Sequence, residues 1–387
     1  MGPPHGVPHD GCMARTLLTT RRTTIAPVEV HDATDSLLTF VRSMALVVVV
    51  LWHWVFTTIR WDGNGPHSGN PLHLVPGGFV LTWFLQVMPL FFIVGGWTSM
   101  KSYERSVARR AQESWVRKRT FGLVAPVLPL VGALMATKIF LSAWLFGVVL
   151  LAASPLWFLA VYVPLTILTP TLVRTHRRAP HLFLALSIGA VLAVQYARFA
   201  LGVSGTALIL LSFLGVWGTV YQLGFFFERV RNNRRLAQLC VSVGLSGIIL
   251  GGAFGYSLSM VTRVNDTVSN MGPPTSQIVF LGLFQIGLVG VLQQQLRCFA
   301  SRPRVERFID AVGSSQMKIY AVHLPIWVAV LIALRNTPLA LADRATHSWL
   351  ALRPLWLLLP GAILFYVVKS SAMSRIGDEC VKAPTAM

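Results

Sequence analysis

Long apolar runs alternate with short polar segments along the whole chain. A helix that crosses a bilayer needs about 20 mostly apolar residues, so runs of this size predict ten membrane spans. The predicted spans are approximately 37–59, 78–100, 121–141, 155–173, 181–200, 206–227, 236–258, 277–296, 317–335 and 353–370. A further apolar stretch, 139–153, is too short for a full span and is typical of a re-entrant or interfacial segment. The pattern predicts an all-α, polytopic membrane protein.

Polar segments at the two ends delimit one membrane domain over residues 37–370. Residues 1–36 carry no apolar core typical of a cleavable signal peptide. Their Pro-, Gly- and His-rich beginning predicts a largely disordered cytoplasmic segment. Residues 371–387 predict a short cytoplasmic tail.

Composition supports the membrane interpretation. Of the 387 residues, 54% are hydrophobic and 12% are charged, whereas soluble domains carry roughly 25% charged residues. So little charge cannot cover the surface of a soluble enzyme of this size. Four cysteines do not indicate a disulfide framework.

The distribution of the basic residues predicts the topology. The net charge is +19, and 24 of the 33 Lys and Arg residues fall in the N-terminal segment, every second loop and the C-terminal tail, or at the span ends that border them. Six fall in the intervening loops or at the span ends that border those. Because loops rich in Lys and Arg face the cytoplasm, both termini are expected there. The basic residues are then topology signals and contacts to anionic lipids, and no nucleic-acid partner is expected.

Two ionisable residues stand inside the first predicted span. Arg42 and His53 are eleven residues apart, which in a helix places them on one face and about 16 Å apart along the axis. Charged groups in a span are costly and are candidates for function. The structural alternatives are that Arg42 extends to the inner headgroups and that His53 bonds to a neighbouring helix.

Polar and helix-breaking residues mark two further spans. Gln86 and Pro89 lie near the middle of the second span, before a Gly pair, which is typical of either a cavity or a kinked helix crossing. In the ninth span Tyr320, His323 and Trp327 share a helix face. A lone histidine at such a position is usually a packed, hydrogen-bonded residue.

The second cytoplasmic loop, residues 101–120, is strongly basic. Its pattern predicts one amphipathic helix on the inner membrane surface, followed by Arg117, Lys118 and Arg119 at the start of the third span. Lipid anchoring is one interpretation of this segment, and a binding surface for an anionic nucleotide is the other.

Several kinds of site are missing from the sequence. No Asp or Glu lies within a predicted span, although cation-coupled transporters normally keep such carboxylates. There is no metal-ligand spacing and no phosphate-binding loop. A metal site is therefore not expected.

Five segments together resemble the acyltransferase-3 family of integral membrane acyltransferases, over about residues 35–370. They are RSMALVVVVLWH with Arg42 and His53, MPLFFIVGG, the basic segment WVRKRTFGLVAP, LWFL at 156–159, and IYAVHLPI around His323. Two departures concern Gly122 and Ala125, where many relatives carry further arginines, and Gly95-Gly96, where Ser-Gly is usual.

The resemblance implies transfer of an acyl group, commonly acetyl from cytoplasmic acetyl-CoA, to a hydroxyl of an envelope carbohydrate or glycolipid. It implies His53 and Arg42 as catalytic residues, with no tightly bound cofactor. His53 would act as general base, or would be acylated transiently, while Gln86 or Arg42 would stabilise the oxyanion. Donor phosphates would contact Arg42, Arg117, Arg119 and Lys318, and the substrates would contact Gln86, Trp157, Tyr320 and His323.

The long basic loop and the GGW sequence at 95–97 are similar to the actinobacterial branch of the family. This implies a bacterial plasma-membrane protein that works among membrane lipids, with trehalose monomycolate as the first acceptor to consider. A non-catalytic exporter or flippase of lipid-linked saccharides is the alternative function. A scaffold for an envelope-assembly complex, with partners unknown, is a third.

Overall fold

The computed structural model describes residues 33–334, except 57, 63–64, 70–71, 73–74, 141–142 and 262–268, together with residues 355–369. The predicted disordered segment falls almost wholly outside these residues, and so does the predicted tail at 371–387. In the described part the chain is built of α-helices apart from one small hairpin and three 3₁₀ turns, which confirms the all-α polytopic prediction.

The described residues form sixteen α-helices. They are α1 (Ala33–Val55), α2 (Leu81–Leu85), α3 (Met88–Ala108), α4 (Gln112–Val124), α5 (Leu128–Phe140), α6 (Ala143–Ala153), α7 (Leu156–Arg178), α8 (Pro180–Phe199), α9 (Thr206–Leu223), α10 (Phe227–Asn232), α11 (Arg234–Ala253), α12 (Ser276–Val291), α13 (Gln293–Ala300), α14 (Pro303–Ser314), α15 (Gln316–Leu334) and α16 (Leu358–Lys369). Single 3₁₀ turns lie at Gly78–Val80, Ala125–Val127 and Gly224–Phe226.

A small hairpin follows α1 and was not predicted. Strand β1 (Thr58–Asp62) pairs antiparallel with β2 (Gly65–Gly69), with Thr58 opposite Gly69. The hairpin lies between the first span and the next helical segment.

Within the described residues, eight helical stretches are long and apolar enough to cross a membrane. A ninth exists if α12 and α13, which meet at a 67° bend, are counted as one span. These nine correspond to the first nine predicted spans. The tenth prediction, 353–370, meets only the short helix α16, and residues 353–354 lie outside the description. The apolar stretch at 139–153 ends α5 and forms α6, an eleven-residue helix.

The single amphipathic helix predicted for residues 101–120 is wrong. Residues up to Ala108 continue the second span as α3, and α4 begins at Gln112 as the start of the third. Arg110 adopts a left-handed backbone conformation with φ 53° in the turn between them. The basic residues therefore line the angle between two span ends instead of one helix face.

Glycines allow α3 to pack closely against the α9 segment. A Cβ atom on Gly96 would collide with the backbone carbonyl of Tyr221, and one on Gly224 would collide with the carbonyl of Ile93. Small residues at a crossing let two backbones approach in lipid, where van der Waals packing drives helix association. Lys101 on α3 forms an ion pair with Glu228 on α10 at 3.1 Å, which joins α3 to the short helix that follows this segment. This crossing fixes α3, whose other end carries the site described next.

Candidate active site

Helix α1 presents Arg42 and His53 to two different cavities. The first, called the histidine cavity here, has a volume of about 120 Å³, and its lining includes His53, Gln86 and Trp157. The second, the arginine cavity, has a volume of about 410 Å³ and is lined by Arg42, Arg119 and other residues. The two cavities lie along α1. Arg42 gives one of them a cationic wall, and His53 gives the other an imidazole.

His53 is bonded to His323 on α15. Nδ1 of His53 lies 3.1 Å from Nε2 of His323. Nδ1 of His323 faces two backbone carbonyl oxygens, of Tyr320 at 2.8 Å and of Ile319 at 3.2 Å. A carbonyl only accepts hydrogen bonds, so this Nδ1 carries a proton.

The tautomers of the neutral pair follow from this assignment. With Nδ1 of His323 protonated, its Nε2 has a lone pair and must accept from Nδ1–H of His53. His53 then keeps its lone pair on Nε2. This is the tautomer that a general base in the histidine cavity requires.

The backbone of His323 is also bonded to α1. The indole N–H of Trp54, one residue after His53, donates to the His323 carbonyl at 3.0 Å. The rings of Trp54 and Trp327 are stacked with centroids 6.4 Å apart, and His323 is fully buried. Two interactions between α1 and α15 therefore fix the relative position of the imidazoles.

Gln86 stands at a break in the second span. Pro89 would clash with the carbonyl of Leu85 in a continuous helix and has no N–H to donate, so α2 ends at Leu85 and α3 begins at Met88. The Gln86 carboxamide oxygen accepts from the Met88 N–H at 3.3 Å. Its nitrogen lies 3.3 Å from the Met271 sulfur, in the wall of the histidine cavity. The break therefore points an amide N–H₂ group along this wall.

Gln285 on α12 is a residue that the sequence analysis missed. Its side-chain nitrogen donates to the carbonyls of Trp83 at 3.0 Å and of Gln86 at 2.9 Å. Both carbonyls lie at the break between α2 and α3. In a continuous helix they would accept hydrogen bonds from backbone N–H groups one turn later. A buried amide in an otherwise apolar span was the signal that could have revealed it.

A loop between α11 and α12 supplies the remaining wall of the histidine cavity through Val261 and Met271. Asn270 stabilises this loop because its amide donates to the carbonyls of Ser257 at 2.6 Å and Ser259 at 2.8 Å. This wall was not predicted from the sequence.

The arginine cavity contains only part of the predicted donor site. Lys118 and Arg119 line it with Arg42, whereas Arg117 is exposed and is not part of the lining. Lys318 is also absent from the lining. Lys118 and Arg119 additionally border a neighbouring groove of about 360 Å³ between α3 and α4, whose other basic residues are Arg105 and Arg109.

Of the residues predicted to bind substrate, Tyr320 lines both cavities. Phe158, which was not predicted, also lines both. Trp157 lines the histidine cavity next to Phe158. His323 lies behind His53 as its hydrogen-bond partner. Among the described residues, no three His, Cys, Asp or Glu side chains are grouped to hold a metal ion.

Comparison with known proteins gives one family. A family model described as an acyltransferase domain matches residues 36–371, nearly the whole chain. The comparisons with curated proteins and with solved structures found no match. The matched range includes every residue of the two cavities.

Proposed function

The chain belongs to this acyltransferase family, as a multi-pass membrane acyltransferase, and we propose that it transfers an acetyl group from acetyl-CoA to a hydroxyl of an envelope glycolipid or carbohydrate. The proposal places it in a bacterial plasma membrane with both termini in the cytoplasm. The observation that carries it is the pair of cavities on α1, cationic at Arg42 and basic at His53.

His53 has the geometry of a general base. An alcohol is too weak an acid to attack a thioester unaided, so a base must take its proton in the transition state. Nε2 of His53 takes the hydroxyl proton while the oxygen attacks the thioester carbonyl. His323 accepts from the opposite nitrogen at 3.1 Å and stabilises the imidazolium. Collapse of the tetrahedral intermediate releases the CoA thiolate, which takes that proton.

The oxyanion of the intermediate needs a donor, and Gln86 is the candidate in the same cavity as His53. Its amide is oriented by the Met88 N–H at the helix break. If the thioester stayed in the arginine cavity, Arg42 would be the donor to the oxyanion instead. A transiently acylated His53 remains the second mechanism, in which the acyl group passes through Nε2.

The donor is assigned to the arginine cavity. CoA carries phosphates, and arginine binds phosphate through paired donors. Arg42 and Arg119 line the cavity, and the adjoining groove adds Arg105 and Arg109 for the nucleotide end of the molecule. Of the predicted residues Arg117, Arg119 and Lys318, this proposal keeps Arg119 and adds Arg105 and Arg109.

A transfer assay tests the proposal. The purified chain in nanodiscs is incubated with acetyl-CoA labelled in the acetyl group and with total envelope lipid, then with trehalose monomycolate alone. Label in a lipid product with the wild type, and none with His53→Ala, supports it. Release of free acetate only would contradict the acceptor class. Lipid-linked saccharide crossing a vesicle membrane without label transfer would favour the exporter.

A further inference from the structure

Two aromatic side chains separate the histidine cavity from the arginine cavity. Tyr320 and Phe158 are the two residues that line both spaces. Their rings meet edge to face with centroids 5.8 Å apart. The Phe158–Tyr320 pair is called the partition here.

Both members of the partition are bonded to one carbonyl. The Tyr320 hydroxyl donates to the Pro155 carbonyl oxygen, and the Phe158 backbone N–H donates to the same oxygen at 3.1 Å. Pro155 is the residue before α7, so its carbonyl opens the first turn of that helix. One acceptor therefore holds α15 and α7 together at the partition.

The two rings differ in how firmly they are fixed. Phe158 packs against four further rings besides Tyr320, and those rings belong to Phe91, Phe92, Trp157 and Tyr162. Tyr320 packs against the rings of Phe158 and His323 and against neighbouring apolar side chains, and its hydroxyl bonds to Pro155. Because Tyr320 has fewer ring contacts than Phe158, movement at the partition is expected at Tyr320.

We propose that the acyl group crosses between the cavities at this partition, and that Tyr320 and Phe158 limit the donor to short acyl chains. This inference rests on the proposed function, because it assumes a donor at Arg42 and a base at His53. The space beyond the partition supports it. At about 120 Å³ the histidine cavity is slightly smaller than an engineered 150 Å³ cavity that holds benzene. An acetyl group fits beside a sugar hydroxyl there, and a long acyl chain does not.

The size limit is tested with Phe158→Ala and the acyl-CoA series acetyl, butyryl and octanoyl. One methylene in a pocket changes kcat/KM by about 10- to 200-fold, and butyryl is two methylenes longer than acetyl. Removing the ring is therefore expected to raise the butyryl-to-acetyl ratio of kcat/KM by at least about tenfold. Phe213→Ala is the matched control, since Phe213 packs on Trp157 but lines neither cavity. An unchanged ratio in Phe158→Ala overturns the size limit.

Tyr320→Phe separates the ring from its bond. It keeps the aromatic barrier and loses the donor to Pro155. The expected result is an unchanged acyl-chain ratio with faster hydrolysis of acetyl-CoA by water, because the loosened partition admits water to the thioester. A ratio altered as strongly as in Phe158→Ala would assign the limit to the hydrogen bond instead of the rings, against the proposal.

A labelling experiment tests the partition without any transfer activity. Val49→Cys reports on the histidine cavity, and Thr98→Cys reports on the arginine cavity. Each is introduced into a variant in which the four native cysteines are replaced by serine. A positively charged methanethiosulfonate reagent is added to right-side-out or inverted vesicles. The two cysteines should react from opposite sides, and Phe158→Ala should let Val49→Cys react from both. Reaction of Val49→Cys from both sides without Phe158→Ala overturns the partition. If transfer fails but the labelling result holds, the proposed function falls and the partition stands.

Discussion

Nδ1 of His53 and Nε2 of His323 lie 3.1 Å apart, although 270 residues separate them in sequence. The bond joins the first span to the ninth and leaves Nε2 of His53 as the unprotonated nitrogen. His323 thus has the position of the orienting residue in a catalytic triad, with a neutral ring in place of a carboxylate. A neutral imidazole stabilises the His53 imidazolium less than a carboxylate would. The contribution of His323 therefore depends more on holding the His53 ring in the correct orientation.

The first prediction concerns His53 itself. His53→Ala removes the proposed base and should lower kcat by about 10²- to 10⁴-fold. Expression and membrane insertion should stay close to normal, since the residue is only half-buried. The rate is measured with labelled acetyl-CoA at saturating donor. Activity above about a tenth of wild type would contradict the assignment.

The second prediction concerns the orienting role. His323→Phe keeps an aromatic ring but removes the acceptor for His53, so kcat should fall by about 10- to 100-fold, as partner loss does at metal-bound histidines. Both KM values should stay unchanged. His181→Phe is the control, because this imidazole is exposed and lies 3.4 Å from Arg229, away from both cavities. An unaltered kcat in His323→Phe would make the pair a packing feature.

The third prediction distinguishes two roles for Arg42. Arg42→Lys keeps the charge and loses the planar fork that binds phosphate or a carbonyl with two donors. If Arg42 contacts the donor in the arginine cavity, the affinity for acetyl-CoA should fall about tenfold, on the scale of one charge-assisted hydrogen bond. Calorimetry on the protein in nanodiscs measures it. Unchanged affinity would indicate that Arg42 serves only the inner headgroups.

The fourth prediction uses neighbouring residues as a matched pair. Arg119→Gln should raise the KM for acetyl-CoA, and raising the salt concentration should weaken donor binding in the wild type more than in the variant. Arg117→Gln should change neither, because Arg117 is exposed and outside the cavity lining. The KM for the acceptor should stay constant in both. Equal effects of the two variants would mean that α4 acts through lipid contacts.

Helical periodicity explains what could be predicted from sequence. It placed Arg42 and His53 on one face of α1, and both line cavities. Applied to α4, the same rule separates Arg117 from Arg119 by about 200° around the axis, so one surface cannot use both. Lys318 and Tyr320 on α15 are likewise two residues apart, so they also face different directions. Of the predicted donor residues Arg117, Arg119 and Lys318, Arg119 lines the arginine cavity, because residues two apart on a helix face different directions.

Contacts between distant helices were beyond the sequence. The His53–His323 bond depends on how α1 packs against α15, and a single chain without aligned relatives carries no signal of that pairing. The hairpin and the loop around Asn270 were missed because short polar segments between spans have no strong period. The prediction of one surface helix failed because the pattern of basic residues is continuous through a turn in which Arg110 reverses the chain.

The fifth prediction concerns Gln285, which lies one helix away from the histidine cavity. Gln285→Leu has a similar volume but leaves the carbonyls of Trp83 and Gln86 without their donor. Unpaired buried carbonyls cost about 1–3 kcal/mol each, so the break should shift to find other partners and carry the Gln86 amide away from the site. We expect a lower Tm and a lower kcat, with both KM values unchanged.

Gln222→Leu provides the comparison for this last variant. Gln222 is as deeply buried and accepts from the Ser187 hydroxyl at 2.9 Å, but it lines neither cavity. It should lower Tm, as Gln285→Leu does, and leave kcat intact. Because both variants lose a buried amide, a difference in kcat between them isolates the position of Gln86 from general stability. Equal kcat in the two variants would show that Gln285 does not position Gln86 for catalysis.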